Sequence, residues 1–520
     1  MDYTHRFDFS KVKAGVSWAS AAADELIARN PDAELYTTAA GISPSGIVHF
    51  GNFRDVVTAH LVREALIEKG KKARLIFSWD NFDRYRKVPA NVPESFAEHI
   101  GKPLSKIPDP LGELSSYAER FQAPFEEAMQ KLGIEIEFRN QTELHESGAY
   151  DAAIIEALQQ REKIADILLS FMTEKAKGEK GIDPQEYREH YYPISLYSRF
   201  SGKDATKILA YDGASNITYR CIETGNEETI DITRERIVKL AWKIDWPMRW
   251  KYEGVNFEPG GHDHASPGGS YDVASTIAKE IYGYDAPTFA EYKFVGIQGL
   301  GSKMSGSKGN AVSPLELLDI YEVDLLKWLY FRKSPDQSFE LAFNTEIYRQ
   351  YDEYDALHPE AKAIPFRQAV GFGQIVQWNE GKLQVILKEL DLDYSAESIA
   401  RRLPLARNWL IKYNPDELIT LRNSVNTDYL ATMSADAKAL VATLHDELKQ
   451  GTATSIAELE ELAYRIPKSA EMDEASLKKA QRAFFKDVYN LLIGRDTGPR
   501  LGTFLWAADT TRVLQLLNLS

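Results

Sequence analysis

Two short loops in this 520-residue chain carry side chains suited to phosphate chemistry, and the first is GISPSGIVHFGN at 41–52. It follows the strand-like run ELYTTAA and precedes a helical pattern, so its backbone N–H groups and the helix dipole would face a bound anion. His49 and Asn52 lie three residues apart at the helix start, and both can face a phosphate on which charge develops. Alone, the H-x-G-N pattern also fits an ordinary helix start.

The second loop is KMSGSKGN at 303–310, which follows the apolar run YKFVGI. Behind it, Ser313, Pro314 and Glu316 have the spacing of a capped helix start. Lysine ammonium groups on a flexible loop suit a leaving pyrophosphate. An isolated basic loop is usually a solvated surface loop. Here, however, the two loops lie at equivalent ends of two similar β–α–β patterns, and this arrangement favours a nucleotide site.

Two β–α–β patterns must position these loops. In the first, apolar residues recur every four positions from Phe53 to Ala65, Gly70 marks a helix stop, and ARLIFSW forms the second strand. In the second, VNFE precedes the helical pattern YDVASTIAKEIYG and the run YKFVGI. We predict that both belong to one parallel sheet, which binds ligands at the carboxyl ends of its strands.

Composition limits the class of protein. The chain has 62 Lys and Arg against 77 Asp and Glu, a net charge of −15, so any contact with nucleic acid must be a local patch. With 44% hydrophobic residues, it can bury a sizeable core. We find no signal-peptide pattern and no apolar run of about 18 residues, and therefore expect a cytoplasmic chain without a membrane partner.

The predicted fold class is α/β: a Rossmann-type parallel-sheet catalytic domain with an inserted subdomain, followed by an all-α C-terminal domain. Glycine becomes scarce, and helical spacing dominates, from about residue 340. We place the two halves of the catalytic domain at 1–85 and 240–312 and the insertion at 86–239. A connecting segment follows at 313–345, and the helical domain takes 346–520.

The quoted segments resemble a known family. H-F-G-N and K-M-S-G-S are similar to the HIGH and KMSKS motifs of class I aminoacyl-tRNA synthetases. Together with WKIDWPMRW, FEPGGHDH and IGRDTGPRLGTFL, they resemble the class I lysyl-tRNA synthetases from residue 18 to the C-terminus. The resemblance implies activation of L-lysine by ATP, with Mg²⁺ accompanying ATP, and transfer of the lysyl group to tRNA(Lys). We expect a monomer whose insertion binds the acceptor end and whose helical domain binds the anticodon.

By motif position, the resemblance also implies roles for individual residues. The catalytic residues would be His49, Asn52, Lys303, Ser305, Ser307 and Lys308. Contacts to ATP would come from Gly51, Gly261, Asp263 and Met304, with Asp263 on the ribose. Contacts to lysine would come from Gly41, Ser43, Trp242, His264 and Tyr292. The loop departs from the family pattern at Gly306, where the second lysine of KMSKS is missing, so that lysine's work falls on Lys308 or is absent.

A lysine ammonium group buried between aromatic side chains needs an acidic partner. Asp80 is our candidate, because it ends the second strand of the first unit, where a parallel sheet binds ligands. Its alternative role is that of a helix or loop cap. Asp83 competes for the same assignment, and Glu258 is a further alternative.

Cysteine and histidine usage argues against a structural metal. Cys221 stands where some members of the family that this chain resembles carry a cysteine zinc knuckle. Because Cys221 is the single cysteine of the chain, we expect no structural zinc there. The pair His262 and His264 suggests a metal site only weakly, because no third ligand lies nearby in sequence.

Two basic patches in the helical domain are candidates for tRNA contact, although charge runs on helices are more often solvated faces. They are Arg401, Arg402 and Arg407, and Lys478, Lys479, Arg482 and Lys486.

Three other functions remain open from the residues alone. A glutamyl- or glutaminyl-type synthetase would share the loops, but an Arg in the pocket would suit glutamate better than Asp80 does. A small-molecule nucleotidylyltransferase would also use an H-x-G-H-like loop, yet such enzymes usually lack a helical C-terminal third. A non-catalytic tRNA-binding paralogue is disfavoured because both loops keep their phosphate-binding residues.

Overall fold

The computed structural model describes residues 2–179, 181–298, 311–469 and 472–519. These residues divide into two compact units. The first holds the described residues up to 297 together with 311–318 and 326–341, and the second holds the rest. Within the described ranges, no helix is both long enough and apolar enough to cross a membrane.

The strands of the described ranges are β1 (Tyr36–Ile42), β2 (Ala73–Trp79), β3 (Glu137–Asn140), β4 (Ile194–Leu196), β5 (Thr206–Tyr211), β6 (Asn216–Cys221), β7 (Glu227–Asp231), β8 (Val238–Leu240), β9 (Val255–Gly261), β10 (Thr288–Tyr292), β11 (Val295–Gln298) and β12 (Phe339–Ala342).

The α-helices up to residue 331 are α1 (Trp18–Arg29), α2 (Phe50–Glu68), α3 (Tyr117–Lys131), α4 (Gln141–Ser147), α5 (Asp151–Gln159), α6 (Arg161–Ser170), α7 (Glu174–Glu179), α8 (Pro184–His190), α9 (Ile232–Glu235), α10 (Trp242–Glu253), α11 (His262–Ala265), α12 (Ser270–Glu280), α13 (Pro314–Leu317) and α14 (Val323–Phe331). Those beyond it are α15 (Ile347–Asp355), α16 (Phe366–Ile375), α17 (Glu380–Glu389), α18 (Ala396–Tyr413), α19 (Thr427–Thr432), α20 (Ala435–Gln450), α21 (Ile456–Arg465), α22 (Glu474–Leu492), α23 (Leu501–Ala507) and α24 (Thr510–Leu517).

A five-stranded parallel sheet in the order β10-β9-β1-β2-β3 forms the centre of the first unit. Helices cover both faces: α1 and α2 bury Leu26 and Val62 on one face, and α10 and α12 bury Trp250 and Ala274 on the other. The sheet and its helices confirm the predicted Rossmann-type α/β fold. Because β1 and β9 are neighbours, the two sequence units meet at the middle of this sheet.

The first predicted β–α–β unit is confirmed in detail. β1 and β2 pair in parallel, with Gly41 opposite Ser78. A Cβ at Gly41 would lie 2.9 Å from Cβ of Ser78, so this close approach of the two strands requires glycine. α2 ends before Gly70, whose φ of +75° turns the chain into β2.

Two details of the sheet differ from the sequence prediction. The strand that joins the sheet in the second unit is β10, whereas most of the run YKFVGI lies beyond it and forms β11, paired with β12. The exposed residues Lys293 and Phe294 separate β10 from β11. The sequence did not reveal this break, because the run as a whole is rich in apolar residues. The sheet also has a fifth strand, β3, inside the range that we assigned to the insertion. Its charged Glu137 and Arg139 suit an edge strand and hide its strand character.

The second unit is α-helical beyond residue 342, as predicted from its composition. Its core includes Leu444, Leu462, Val488 and Phe504 from successive helices. Arg402 of α18 is only 2% exposed. Its ion pairs with Glu322 and Asp355 remove it from the predicted basic patch on that helix.

Candidate active site

The start of α2 is built around His49. Its Nδ1 accepts a hydrogen bond from the N–H of Gly51 at 3.1 Å, and its own backbone N–H donates to Oδ1 of Asn52 at 3.2 Å. Because Nδ1 accepts, the neutral ring carries its proton on Nε2. Burial lowers the pKa of His49, so the ring is neutral near pH 7. His49 thus has one N–H to offer a ligand at this helix N-terminus, beside the side-chain amide of Asn52.

The second phosphate loop lies outside the described residues. This holds for all of its predicted site residues: Lys303, Met304, Ser305, Ser307 and Lys308. The chain is described again from residue 311, where the carbonyl of Val312 accepts a hydrogen bond from the N–H of Phe50 at 2.9 Å. The residue after His49 is therefore bonded to the segment that follows the second loop, and the predicted capping box of Ser313 and Glu316 starts α13 directly behind it.

The predicted ribose contacts lie at the carboxyl end of β9. Gly261 ends that strand opposite Tyr292 of β10, and the short helix α11 follows at once. Asp263 is exposed on this helix, and His262 makes a 2.8 Å hydrogen bond with Glu291. Gly261 and Asp263 thus lie at the edge of the sheet where ligands bind, and their contacts with ATP stay a prediction.

A cavity of about 430 Å³ opens beside the carboxyl ends of β1 and β2. That size lies in the range of ligand pockets. Four of the predicted lysine contacts line it together with Asp80: Gly41, Ser43, Trp242 and His264. Trp242 is 38% exposed, so it is not a fully buried core residue. Lys239 and Tyr197 bring the insertion to the wall of this cavity.

A smaller cavity of about 50 Å³ shares Gly41, Asp80 and Trp242 with the larger one. Its wall is aromatic because Trp242, Trp246 and Trp250 follow one another along α10. The rings of Trp242 and Trp246 stack with centroids 5.2 Å apart. Glu258 of β9 also lines this cavity, and its Oε2 accepts a hydrogen bond from Nε1 of Trp250 at 2.6 Å. The small cavity therefore combines aromatic walls with a carboxyl group.

Asp80 lines both cavities, but its carboxylate already has a cation. Nη1 of Arg249 donates to Oδ1 of Asp80 at 2.6 Å, and Nη2 of Arg249 lies 2.8 Å from Asp245. Burial raises the pKa of Asp80 and Arg249 opposes that shift. Asp83 is likewise paired, with Lys239. A direct contact of Asp80 with a lysine ammonium group stays a prediction, and these pairs make it less favourable than the sequence suggested.

Sequence reasoning missed Arg249, Trp246 and Trp250 as parts of the site. A signal was present: the Trp residues of WKIDWPMRW recur every four positions, so they share one face of a helix. The ion pairs of Arg249 join residues from β2 and α10, and no local spacing could reveal them.

Cys221 is buried at the end of β6. Burial alone would raise the pKa of its thiol, yet hydrogen bonds with Ser198, Thr224 and Ser201 lower it to about 6. Within the described part of the chain, no three His, Cys, Asp or Glu side chains are grouped so that they could hold a metal ion.

The chain has close relatives along its length. The family model described as tRNA synthetases class I (K) matches residues 16–370. A lysine–tRNA ligase of Streptomyces coelicolor is 36% identical over 571 residues, covering 96% of this chain and 98% of that protein. A lysine–tRNA ligase of Pyrococcus horikoshii is 35% identical over 539 residues, covering 97% of this chain and 99% of that protein.

A solved glutamate tRNA ligase of Elizabethkingia meningosepticum, in complex with its amino acid, superposes with a TM-score of 0.45 at 11% identity. The superposition covers 93% of this chain and 98% of that one. The family model spans well over half of the chain, and relatives above 30% identity span nearly all of it. This chain belongs to the class I (K) family of tRNA synthetases.

Proposed function

We propose that this chain is a lysine–tRNA ligase. It joins the carboxylate of L-lysine to the α-phosphate of ATP, releases pyrophosphate, and transfers the lysyl group from the adenylate to the 3′ end of tRNA(Lys). The observation that carries the proposal is the match to lysine–tRNA ligases over 96–97% of the chain, because both domains of such an enzyme are then represented.

The geometry at the start of α2 supports the activation step. The attack of a carboxylate on the α-phosphate builds negative charge on the phosphate oxygens, which preorganised N–H donors stabilise. The Nε2–H of His49, the amide of Asn52 and the backbone N–H groups near Gly51 can supply such donors. Lys303, Ser305, Ser307 and Lys308 would cover the leaving pyrophosphate, and Met304 would touch the nucleotide.

The cavities support lysine rather than glutamate. Arg249 faces the small cavity, and an arginine there would suit a glutamate side chain. Asp80 and Asp245 both bind its guanidinium group, so a glutamate carboxylate would have to displace a buried partner. The walls of the cavities suit an aliphatic chain that ends in an ammonium group, with Trp242 against the chain and Gly41, Ser43 and His264 around the α-carbon. Tyr292 lines neither cavity, and its contact with lysine rests on the family resemblance alone.

The remaining assignments follow from the family. Asp263, next to Gly261, would accept hydrogen bonds from the two ribose hydroxyl groups, and Mg²⁺ would enter with the phosphates of ATP and neutralise their charge. The insertion at 86–239 would receive the acceptor end of tRNA, and the helical domain at 346–520 its anticodon. On α22 the side chains of Lys479 and Arg482 are exposed and suit a contact with phosphates. We propose that the enzyme acts as a monomer in the cytoplasm.

Amino-acid-dependent exchange of pyrophosphate into ATP tests the proposal. Each of the twenty amino acids is assayed with and without tRNA. Lysine should support the exchange at least about 100-fold better than glutamate or glutamine, because their side chains would leave the carboxyl groups of the pocket without a cationic partner. Exchange that depends on glutamate would favour the rival synthetase, and none with any amino acid, with or without tRNA, would refute the proposal.

A further inference from the structure

Two carboxyl groups near Gly41 form no ion pair among the described residues: Asp55 of α2, which contacts Gly41, and Glu258 of β9, which lines the small cavity with Gly41. Their acidic neighbours are all paired. Asp80 and Asp245 bind Arg249, and Glu253 binds Arg74 and Arg139. The free carboxyl groups are thus exceptions within a region where other carboxylates form ion pairs.

The hydrogen bonds of these two groups leave acceptor capacity unused. A carboxylate has about four lone-pair positions. Glu258 accepts a hydrogen bond from Trp250 at 2.6 Å. Asp55 accepts one long bond, from the N–H of Gly41 at 3.4 Å. The indole nitrogen of Trp246, which is buried, lies near Glu258 without completing a hydrogen bond.

Both carboxyl groups are half-buried, and desolvation of a carboxylate is costly without a compensating charge. Burial raises the pKa of Glu258 to about 7, while the indoles of Trp246 and Trp250 and the charge of Arg249 oppose the rise. Burial, and then the charge of Glu258, hold the pKa of Asp55 well above its usual value. Carboxyl groups in this condition are typical of sites that receive a charged ligand.

The surroundings of the two groups differ, and this assigns them to different ends of a ligand. Glu258 lies in the small cavity with Trp246 and Trp250, which is suited to an aliphatic chain ending in a cation. Asp55 lies on α2, six residues after His49 and against the backbone of Gly41. It thus belongs to the helix at whose start the reacting carboxylate must meet ATP.

We propose that Glu258 binds the side-chain ammonium group of lysine and that Asp55 binds its α-ammonium group. The inference rests on the proposed function and identifies how that site selects its substrate. Lysine brings two ammonium groups to two unpaired carboxylates, whereas glutamate would leave Glu258 without a partner and add a third negative charge. Asp80 then acts indirectly, by neutralising Arg249.

The test uses ligands that each lack one ammonium group. 6-Aminohexanoate keeps the distal ammonium group, and 6-hydroxynorleucine keeps the α-ammonium group. Both are measured as inhibitors of lysine-dependent pyrophosphate exchange, with the parent enzyme and with the isosteric variants Glu258→Gln and Asp55→Asn. The matched control is Glu126→Gln, because Glu126 also accepts a hydrogen bond from a tryptophan, Trp79 at 2.7 Å, but lines neither cavity.

Glu258→Gln should weaken the binding of lysine and of 6-aminohexanoate at least tenfold. Its affinity for 6-hydroxynorleucine should stay within about twofold of the parent's. Asp55→Asn should weaken lysine and 6-hydroxynorleucine and spare 6-aminohexanoate. The Michaelis constant for ATP should stay within about twofold in both, and Glu126→Gln should match the parent throughout. A parent-enzyme measurement avoids any folding defect: 6-aminohexanoate, whose only ammonium group faces Glu258, should bind more weakly as the pH falls below about 7.

Equal weakening of all three ligands in either variant, or unchanged binding of lysine in Glu258→Gln, would overturn the inference. So would a parent enzyme in which 6-aminohexanoate keeps its full affinity as the pH falls below about 7. Failure of the proposed function looks different, because the parent enzyme itself would then show no lysine-dependent exchange.

Discussion

Arg249 donates to Asp80 at 2.6 Å and lies 2.8 Å from Asp245, so one guanidinium group connects the end of β2 to α10 at the floor of the cavities. Its plane also lies over the ring of Trp242, with 5.3 Å from Cζ to the ring centroid. The arrangement holds Trp242 and cancels a positive charge that would repel a cationic substrate.

This pairing predicts an indirect role for Asp80. Asp80→Asn should raise the Michaelis constant for lysine at least tenfold, about 1.4 kcal/mol, because Arg249 regains part of its charge beside the substrate. The double variant Asp80→Asn with Arg249→Gln should recover much of that loss. A direct bond from Asp80 to the substrate would give no recovery, and the steady-state kinetics of the two variants separate these cases.

His49 should matter for the rate more than for binding. His49→Ala removes both the helix cap and the Nε2 donor, and should lower the rate of pyrophosphate exchange about 100-fold or more. His49→Asn keeps a good N-cap residue and removes only the ring, so it should fold like the parent and lose a similar factor. If His49→Asn has the parent's rate, the imidazole has no part in the chemistry.

The ionised carboxylate of Glu258 should lower the stability of the ligand-free protein at neutral pH. Its pKa of about 7 lies above the ordinary 4.5, so the folded protein binds this proton more tightly than the unfolded chain. The resulting stabilisation is complete below about pH 4.5 and is lost as the pH rises through 7. The free energy of unfolding of Glu258→Gln should therefore exceed that of the parent by up to about 3 kcal/mol at pH 8 and by little at pH 5.

Denaturant unfolding at both pH values, without and with lysine, measures this difference. Saturating lysine should narrow the gap at pH 8, because the bound ammonium group compensates the carboxylate in the parent. A variant that is less stable than the parent at pH 8 would show that the ionised carboxylate is already satisfied within the protein.

Arg402 should support the helical unit rather than bind tRNA. Arg402→Ala leaves Glu322 and Asp355 without their buried partner and should cost about 3–5 kcal/mol of stability. Arg401, which is half-exposed, should tolerate Ala within about 0.5 kcal/mol. Thermal unfolding compares the two variants, and equal midpoints would show that Arg402 is not structurally important.

The fold was predictable from sequence where local patterns repeat along the chain. The helical spacing from Phe53 to Ala65 and the two apolar strands around it correctly predicted a parallel β–α–β unit. The edge strand β3 was missed because Glu137 and Arg139 lack the apolar signal of a buried strand. The apolar run after β10 misled for the opposite reason, because its residues form a separate pair of strands.

The candidate site was predictable only in part. The spacing of His49 and Asn52 indicated in the sequence which residues of the first loop stand at the helix start. Four of the predicted lysine contacts line one cavity in the structure. The pairing of Asp80 with Arg249 joins residues 169 positions apart, and only the fold brings them together. Choosing among acidic residues therefore needed three-dimensional information, since sequence shows a carboxylate but not its partner.

The most direct test of the account is lysine-dependent exchange of pyrophosphate into ATP, measured beside charging of tRNA with radioactive lysine. We predict exchange with lysine, little exchange with glutamate or glutamine, and charging of tRNA(Lys) alone in a total tRNA pool. Exchange that prefers glutamate, or charging of a different tRNA, would contradict the account.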